Sequence, residues 1–490
     1  MSLKQKAVSG ILWKFVEQMS RGILAFTISI VLARLLDISD FGLIGMLAIF
    51  IALSSILIES GFTAALIQNK NRTNLDYNTV FLFNIFIALV CYAILFFCAP
   101  LIATFYGEPL LVSLLRVLGL NLILNSFNTI QLTQLTIKID FKAIAKVTLT
   151  GSAAGGAVGV FMAYTGFGVW SLVAQTLTTT LFSTIVLWSS SVWRPHFVFS
   201  LTSLKRMFAY GSKLLIASVY GVSLNNLYNI IIGRVYKSEE LGIYTRAMHL
   251  PELISATVNS VINSVTFPLM SSINDDRERM LSGYSRMLSM TAFIIFPIMT
   301  LLSALSYPFV MLFLTERWIA VVPLMQWLCF ARMMTPISSL NLNILQATGR
   351  SDLFLWTDLA KLPLFVANII ITVPMGIKYI AIGSAIVTFI SYFINAYFPG
   401  KKFGYGAIKQ IRDCYKTIIA VGCMYLVVYI LNTFVFTASD RYFIQLMVGG
   451  LLGIGVYIVC HILLKTKEVG EIVKIVKEKV VSLRKTNKPD

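Results

Sequence analysis

The chain has 490 residues, 57% of them hydrophobic and only 13% charged, with a mean hydropathy of +0.80. A soluble domain carries about 25% charged residues, so the composition excludes one and indicates an all-α integral membrane protein. The net charge of +18 is spread over short loops and the tail, with no basic domain, which excludes a nucleic-acid partner and fits loops held on the cytoplasmic side.

The first apolar run has a basic start like a signal peptide, but it is long, carries Lys14, Glu17 and Arg21, and has no convincing cleavage site. It reads as a retained first helix. A window of about 20 apolar residues, the length of one crossing, finds about fourteen transmembrane helices. They fall at 10–32, 41–67, 78–99, 110–134, 144–164 and 167–189, then 207–233, 241–270, 285–314, 321–347, 353–373 and 377–398, then 414–434 and 443–464. The expected organisation is an N-lobe over 1–200, a C-lobe over 201–400, two extra helices within 401–464 and a basic tail over 465–490. That tail reads either as an amphipathic helix on the cytoplasmic surface or as a solvated extension.

The two lobes are copies. Arg34, Asp40 and Gly42 recur as Arg234, Glu240 and Gly242; Lys4 and Gly10 recur as Lys205 and Gly211; Gln134 and Asp140 recur as Gln346 and Asp352. Such self-similarity marks an internal repeat. Six helices per copy is an even number, so the two six-helix lobes are pseudo-symmetric about the membrane normal, the arrangement of alternating-access carriers. Loops expected inside are rich in cations, for instance Lys138, Lys142 and Lys146, and then Lys401, Lys402, Lys409 and Arg412. Both termini are therefore expected in the cytoplasm.

Chemistry-bearing motifs are few. The six cysteines form no CxxC pair and read as small core side chains, giving neither a metal site nor a disulfide framework. Gly151, Gly155 and Gly159 are spaced four apart, as are Gly449 and Gly453, and read as close-packing surfaces rather than nucleotide loops. No cofactor is indicated, although a coupling proton or sodium ion is compatible with the acids below.

Polar residues inside expected spans are the functional candidates, because a charge at mid-bilayer costs about 2.5–3.5 kcal/mol on the insertion scale unless water or a partner receives it. Helix 1 puts Lys14, Glu17, Gln18 and Arg21 on one face. They line a cavity, or Lys14 snorkels and Glu17 pairs with Arg21. Helix 10 aligns Arg332, Thr335, Ser339, Asn343 and Gln346, and its counterpart, helix 4, stacks Asn121, Asn125 and Asn128. Such stripes bind ligand or hold helices together. Helix 8 presents Thr245, His249, Glu252, Asn259, Asn263 and Thr266 with Arg246 beside them, and Pro251 is expected to kink it. His249 and Glu252 form either packing contacts or a switchable pair. Helix 11 carries Asp358 and Lys361 one turn apart, before Pro363. They suit an ion pair or, with freed carbonyls, a cation site.

Several stretches together resemble the polysaccharide flippases of the multidrug, oligosaccharidyl-lipid and polysaccharide exporter superfamily, in the colanic-acid and lipopolysaccharide branch. They are Gly10 to Trp13, Leu32 to Leu36, Asp40 to Leu43, Gly61 to Gln68, Leu241 to Ala247 and Phe267 to Leu269. The resemblance implies a fourteen-helix carrier that is not an enzyme. It would move an undecaprenyl-diphosphate-linked oligosaccharide across the bacterial inner membrane for surface polysaccharide biosynthesis, beside polymerase or assembly partners. A diphosphate needs cations, for which Lys14, Arg21, Lys213, Arg332 and Lys361 are the candidates; sugars need the Asn, Gln, Ser and Thr faces.

Two other readings compete. A cation-coupled multidrug exporter of the same superfamily calls for more acid in the cavity, whereas the in-membrane balance here is basic. A membrane polymerase or acyltransferase calls for a large outside loop or a His, Asp and Arg cluster, and the sequence displays neither.

Overall fold

A computed structural model describes residues 3–470 except 60, 70, 192, 273–276, 349, 350, 437–440 and 467. Some side chains within helices are also left out, among them those of residues 3–16 and 213. Every regular element among the described residues is helical.

The chain divides into two compact units, residues 1–245 and 246–490. The first contains α1 (Leu3–Leu35), α2 (Ile38–Glu59), α3 (Phe62–Gln68), α4 (Asn74–Tyr106), α5 (Leu111–Leu118), α6 (Leu120–Ser126), α7 (Thr129–Ile137), α8 (Phe141–Tyr164), α9 (Trp170–Ser190) and the beginning of α10 (Leu201–Ser272). The rest of α10 belongs to the second, with α11 (Arg277–Ala304), α12 (Ser306–Phe313), α13 (Val321–Met333), α14 (Thr335–Ala347), α15 (Ser351–Thr372), α16 (Ile377–Phe403), α17 (Ala407–Ile430) and α18 (Tyr442–Leu463).

Ten helices among the described residues are long and apolar enough to cross a bilayer, or eleven if the bent run from α5 to α7 is one span. The chain is thus an all-α, multi-span membrane protein. The two arms of α10 and the α13–α14 pair lie where the other expected spans were placed. The amphipathic tail lies almost wholly outside the described residues.

Helix boundaries follow local chemistry. The α4 start is a capping box: the Asp76 carboxylate accepts from Thr73 N–H at 2.9 Å, and Thr73 Oγ1 accepts from Asp76 N–H at 3.4 Å. Asp76, fully buried, also takes a hydrogen bond from Ser203 and an ion pair from Arg206 at 2.7 Å. These contacts fix the first arm of α10 within the first unit. The lobe boundary expected at 200/201 and the division between units at 245/246 are therefore different lines, since the arm expected to open the second copy belongs to the first unit.

Several expected spans are broken. Helix 2 stops at Glu59, and Gly61, with φ 69°, starts α3. Helix 4 is interrupted around Gly119 and again at Phe127 and Asn128, helix 9 at Leu305, and helix 10 at Met334. The break in α10 sits at Lys237, whose φ of 70° is the non-helical point inside it; Pro251, where a kink was expected, lies in the arm that follows. A residue at positive φ cannot continue a right-handed helix, and Lys237 therefore marks the join between the two arms of α10.

The repeated stretch has a reciprocal backbone role. A methyl group at Gly42 would stand 1.7 Å from the Ser238 carbonyl oxygen, and one at Gly242 would stand 2.1 Å from the Ile38 carbonyl oxygen. Ile38 and Ser238 are the same position in the two copies, as are Gly42 and Gly242. Each copy's glycine thus admits the other's backbone. Asp40 closes the turn before α2 by accepting from Asp37 N–H at 3.2 Å. Gly151 and Gly155 play the expected close-packing part against α9, with Ser183 and Thr179 filling the space a side chain would need.

A buried polar knot ties the second unit together. Gln410 Nε2 donates to Asn341 Oδ1 at 2.7 Å and to the Tyr405 carbonyl at 3.1 Å, and Tyr284 donates to Asn341; Tyr284, Asn341 and Gln410 are all fully buried. Tyr405, in the turn between α16 and α17, donates to Asp413 at 2.6 Å, and burial drives its phenol well above the usual range. Each polar group is thereby satisfied without water.

Candidate substrate site

The polar faces expected on helices 8 and 10 meet inside the second unit. Arg332, in the last turn of α13, points its guanidinium at Glu252 on α10, Nε to Oε2 2.7 Å, with Met248 Sδ at 3.2 Å. Ser255 Oγ donates to the Arg332 carbonyl at 2.9 Å, which also accepts from the Met334 backbone N–H at the break. Further along, Asn263 Oδ1 accepts from Asn343 Nδ2 at 2.6 Å and from Ser339 Oγ at 3.2 Å. The stripe thus joins two rods at both ends, as interhelical glue does.

The acid facing Arg332 is Glu252 rather than Glu17 or Asp358. Glu17 lies in the first unit, 3.7 Å from Arg21 and within 3.5 Å of Thr148 Oγ1, which donates to it. Asp358 holds Lys361 at 2.5 Å. Both are the local pairs that their i+4 and i+3 spacings allow. The Arg332–Glu252 pair is unlike them because it joins two elements and leaves its acid half open: the Glu252 side chain is 48% exposed and that of Arg332 24%. A guanidinium held this way presents planar N–H donors to an anion, and the resident carboxylate is an exchangeable one.

Other candidates fall around this pair. His249 is exposed one turn before Glu252, with no hydrogen bond between them among the described residues. Arg246 lies 5.7 Å over the Trp318 ring. The Asn259 carbonyl oxygen is buried without a partner, Thr335 is half-buried and Gln346 exposed. The Lys14 and Lys213 side chains lie outside the described set. The second unit also encloses an apolar cavity of about 450 Å³ lined by Leu288, Phe296, Phe330, Ile337, Phe389 and Val421 among others.

One group of residues was not foreseen. In the first unit a polar pocket of about 160 Å³ is lined by Ser55, Glu59, Thr63, Asn125, Asn128, Thr129, Thr133 and Thr136. The stacked asparagines of helix 4 were expected, but Glu59 was passed over because helix 2 was read as continuous. The signal was Gly61 directly after Glu59 and Ser60, where a left-handed break exposes the helix end.

The fold defines a class. A structure titled lipid II flippase MurJ in an inward closed conformation superposes with a TM-score of 0.70, at 16% identity, over 94% of this chain and 99% of that one. An inward-facing multidrug resistance MATE family transporter of the MOP superfamily gives 0.65, at 14% identity, over 80% and 98%. The fold is therefore that of the MOP-superfamily transporters. Within it, residues 31–323 match the model of the polysaccharide biosynthesis protein family, and the chain belongs to that family. Among curated relatives, the teichuronic acid biosynthesis protein TuaB of Bacillus subtilis is 24% identical over 80% of this chain and 82% of its own length. The lipopolysaccharide biosynthesis protein WzxC of Escherichia coli is 25% identical over the same shares.

Proposed function

We propose that this protein carries an undecaprenyl-diphosphate-linked oligosaccharide from the cytoplasmic to the outer leaflet of a bacterial inner membrane by alternating access. It would serve surface polysaccharide biosynthesis as a carrier, without catalysing a reaction, and both termini would be cytoplasmic. A proton or sodium gradient would drive it, and a polysaccharide polymerase would consume its product. The observation that carries this reading is Arg332: a guanidinium on α13, in a span expected from the sequence, held by one half-open carboxylate on α10.

A diphosphate offers Arg332 more negative charge and a better bidentate match than Glu252 does, so substrate entry would exchange one anion for another and leave no bare charge behind. The apolar cavity in the same unit supplies room for part of a lipid chain, while the diphosphate keeps to the polar stripe. The test is transport of lipid-linked substrate in proteoliposomes, normalised to folded protein. Arg332→Glu should abolish it, Arg332→Ala should remove most of it, and Arg332→Lys should retain part, because charge persists without the fork. Wild-type transport by Arg332→Glu would refute the reading.

A further inference from the structure

The pocket of the first unit has the opposite chemical sense to the Arg332 site. Four hydroxyls facing it have already given their protons to the preceding helical turn: Ser55 to the Ile51 carbonyl at 2.9 Å, Thr129 to Asn125 at 3.3 Å, Thr133 to Thr129 at 2.6 Å and Thr136 to Leu132 at 2.9 Å. What they turn to the pocket is oxygen lone pairs. Asn128 is 4% exposed, and its side-chain oxygen has no partner. Glu59 adds an exposed carboxylate that enters no ion pair among the described residues. An unsatisfied buried acceptor costs about 1–3 kcal/mol, so the arrangement calls for a ligand that brings donors.

The backbone supports the same conclusion. Glu59 ends α2 just before the left-handed Gly61, and Asn128 sits at the break between α6 and α7, where the run bends by 40°. Two interrupted helices meeting at one polar pocket is how membrane carriers build recognition sites. Phosphate is disfavoured, since the Glu59 carboxylate would repel it and the four hydroxyls have no proton left to donate to it. The volume of about 160 Å³ corresponds to about five waters at roughly 30 Å³ each, far more than a bare ion fills and about what one sugar ring needs.

We propose that this pocket is a saccharide subsite. It takes one sugar residue whose hydroxyls donate to Glu59, Asn128 and the threonine oxygens, a hydroxyl-to-carboxylate bond being the strongest of these. The proposal rests on the reading of the chain as a carrier of lipid-linked oligosaccharide.

The experiment measures binding to the full chain in nanodiscs with two probes. One is undecaprenyl diphosphate without sugar; the other is the lipid-linked oligosaccharide that accumulates in cells lacking this protein. Wild type should prefer the glycosylated lipid by about tenfold or more. Glu59→Gln and Thr133→Val, both close to isosteric, should each erase most of that preference while affinity for undecaprenyl diphosphate stays unchanged, an internal control for folding. If both variants keep the wild-type preference, the subsite is wrong and the carrier reading stands. If wild type binds neither lipid, the carrier reading falls and the subsite with it. If replacing choline chloride by sodium chloride reveals sodium binding that Glu59→Gln abolishes, with sugar preference intact, the pocket is a cation site and the proposal is overturned.

Discussion

The polar sites of the two units are built on copies of the same helices and differ in chemical sense. In the first unit, α2 and the run from α5 to α7 surround a pocket of acceptors with Glu59, which enters no ion pair among the described residues. In the second, the α10 arm and the α13–α14 pair are joined by Arg332–Glu252 and by Asn263 with Ser339 and Asn343. What has been kept is backbone: the glycines at 42 and 242, and the interruptions in helix 4 and its copy, helix 10. What has diverged is the side chains at those interruptions. Two stretches of related sequence can thus carry sites of different chemical sense, one with a donor at its centre and the other with acceptors.

The strongest way to break the comparison is at Arg332. Arg332→Glu should lower transport at least about a hundredfold, roughly 2.7 kcal/mol at 1.36 kcal/mol per tenfold, while Glu59→Gln leaves diphosphate binding alone. A charge-swapped Arg332→Glu with Glu252→Arg should recover folded protein but not transport. Recovery of transport would reduce the pair to an internal brace.

The glycine crossing tests the shared backbone instead. Gly42→Ala and Gly242→Ala should destabilise by similar amounts, about 1–3 kcal/mol each for overpacking, because each meets a carbonyl that no rotamer can move. Detergent melting curves decide this, and unequal losses would argue that the reciprocal contact is not shared equally.

A finer measurement separates the two carboxylates. Glu252→Gln leaves Arg332 with a weaker resident partner, so substrate KM should fall a few-fold and turnover should slow with it, a change of about 1 kcal/mol. A rise in KM would show Glu252 contacting substrate directly. The smallest effect is expected at Asn263→Ala, about 0.6 kcal/mol of stability, the mean for such bonds between membrane helices. Transport should be unchanged, and its loss would move Asn263 from brace to binding group.

Much of this was legible in the sequence because membrane helices reveal themselves by length and apolarity. The polar faces of helices 8 and 10 were identified residue by residue, and Asp358 with Lys361, like Glu17 with Arg21, pair as their spacing allows. The partner of Arg332 was not legible. Glu252 lies 80 positions earlier in the chain, and helical periodicity fixes which residues share a face but not which faces meet. The helix breaks were missed for a related reason. An apolar window runs straight through Gly61, Phe127 and Met334: at Gly61 the break is a positive φ that hydropathy does not measure, and at the other two the angles stay right-handed and no sequence signal marks the interruption.

The reciprocal crossing also orders events at the ribosome. Gly42 leaves the tunnel with the second helix, but the carbonyl it must receive belongs to Ser238, about 200 residues later. At about 5–20 residues per second, that is a wait of roughly 10–40 s. Throughout this interval the early helices lack the backbone segment that Gly42 admits. The first unit is therefore a product of late synthesis: a chain arrested before residue 238 would carry all of α1 to α9 and still lack the contact made at Gly42. Protease sensitivity of stalled chains should drop in one step as the bend at Lys237 emerges and the following turn of α10 reaches the membrane.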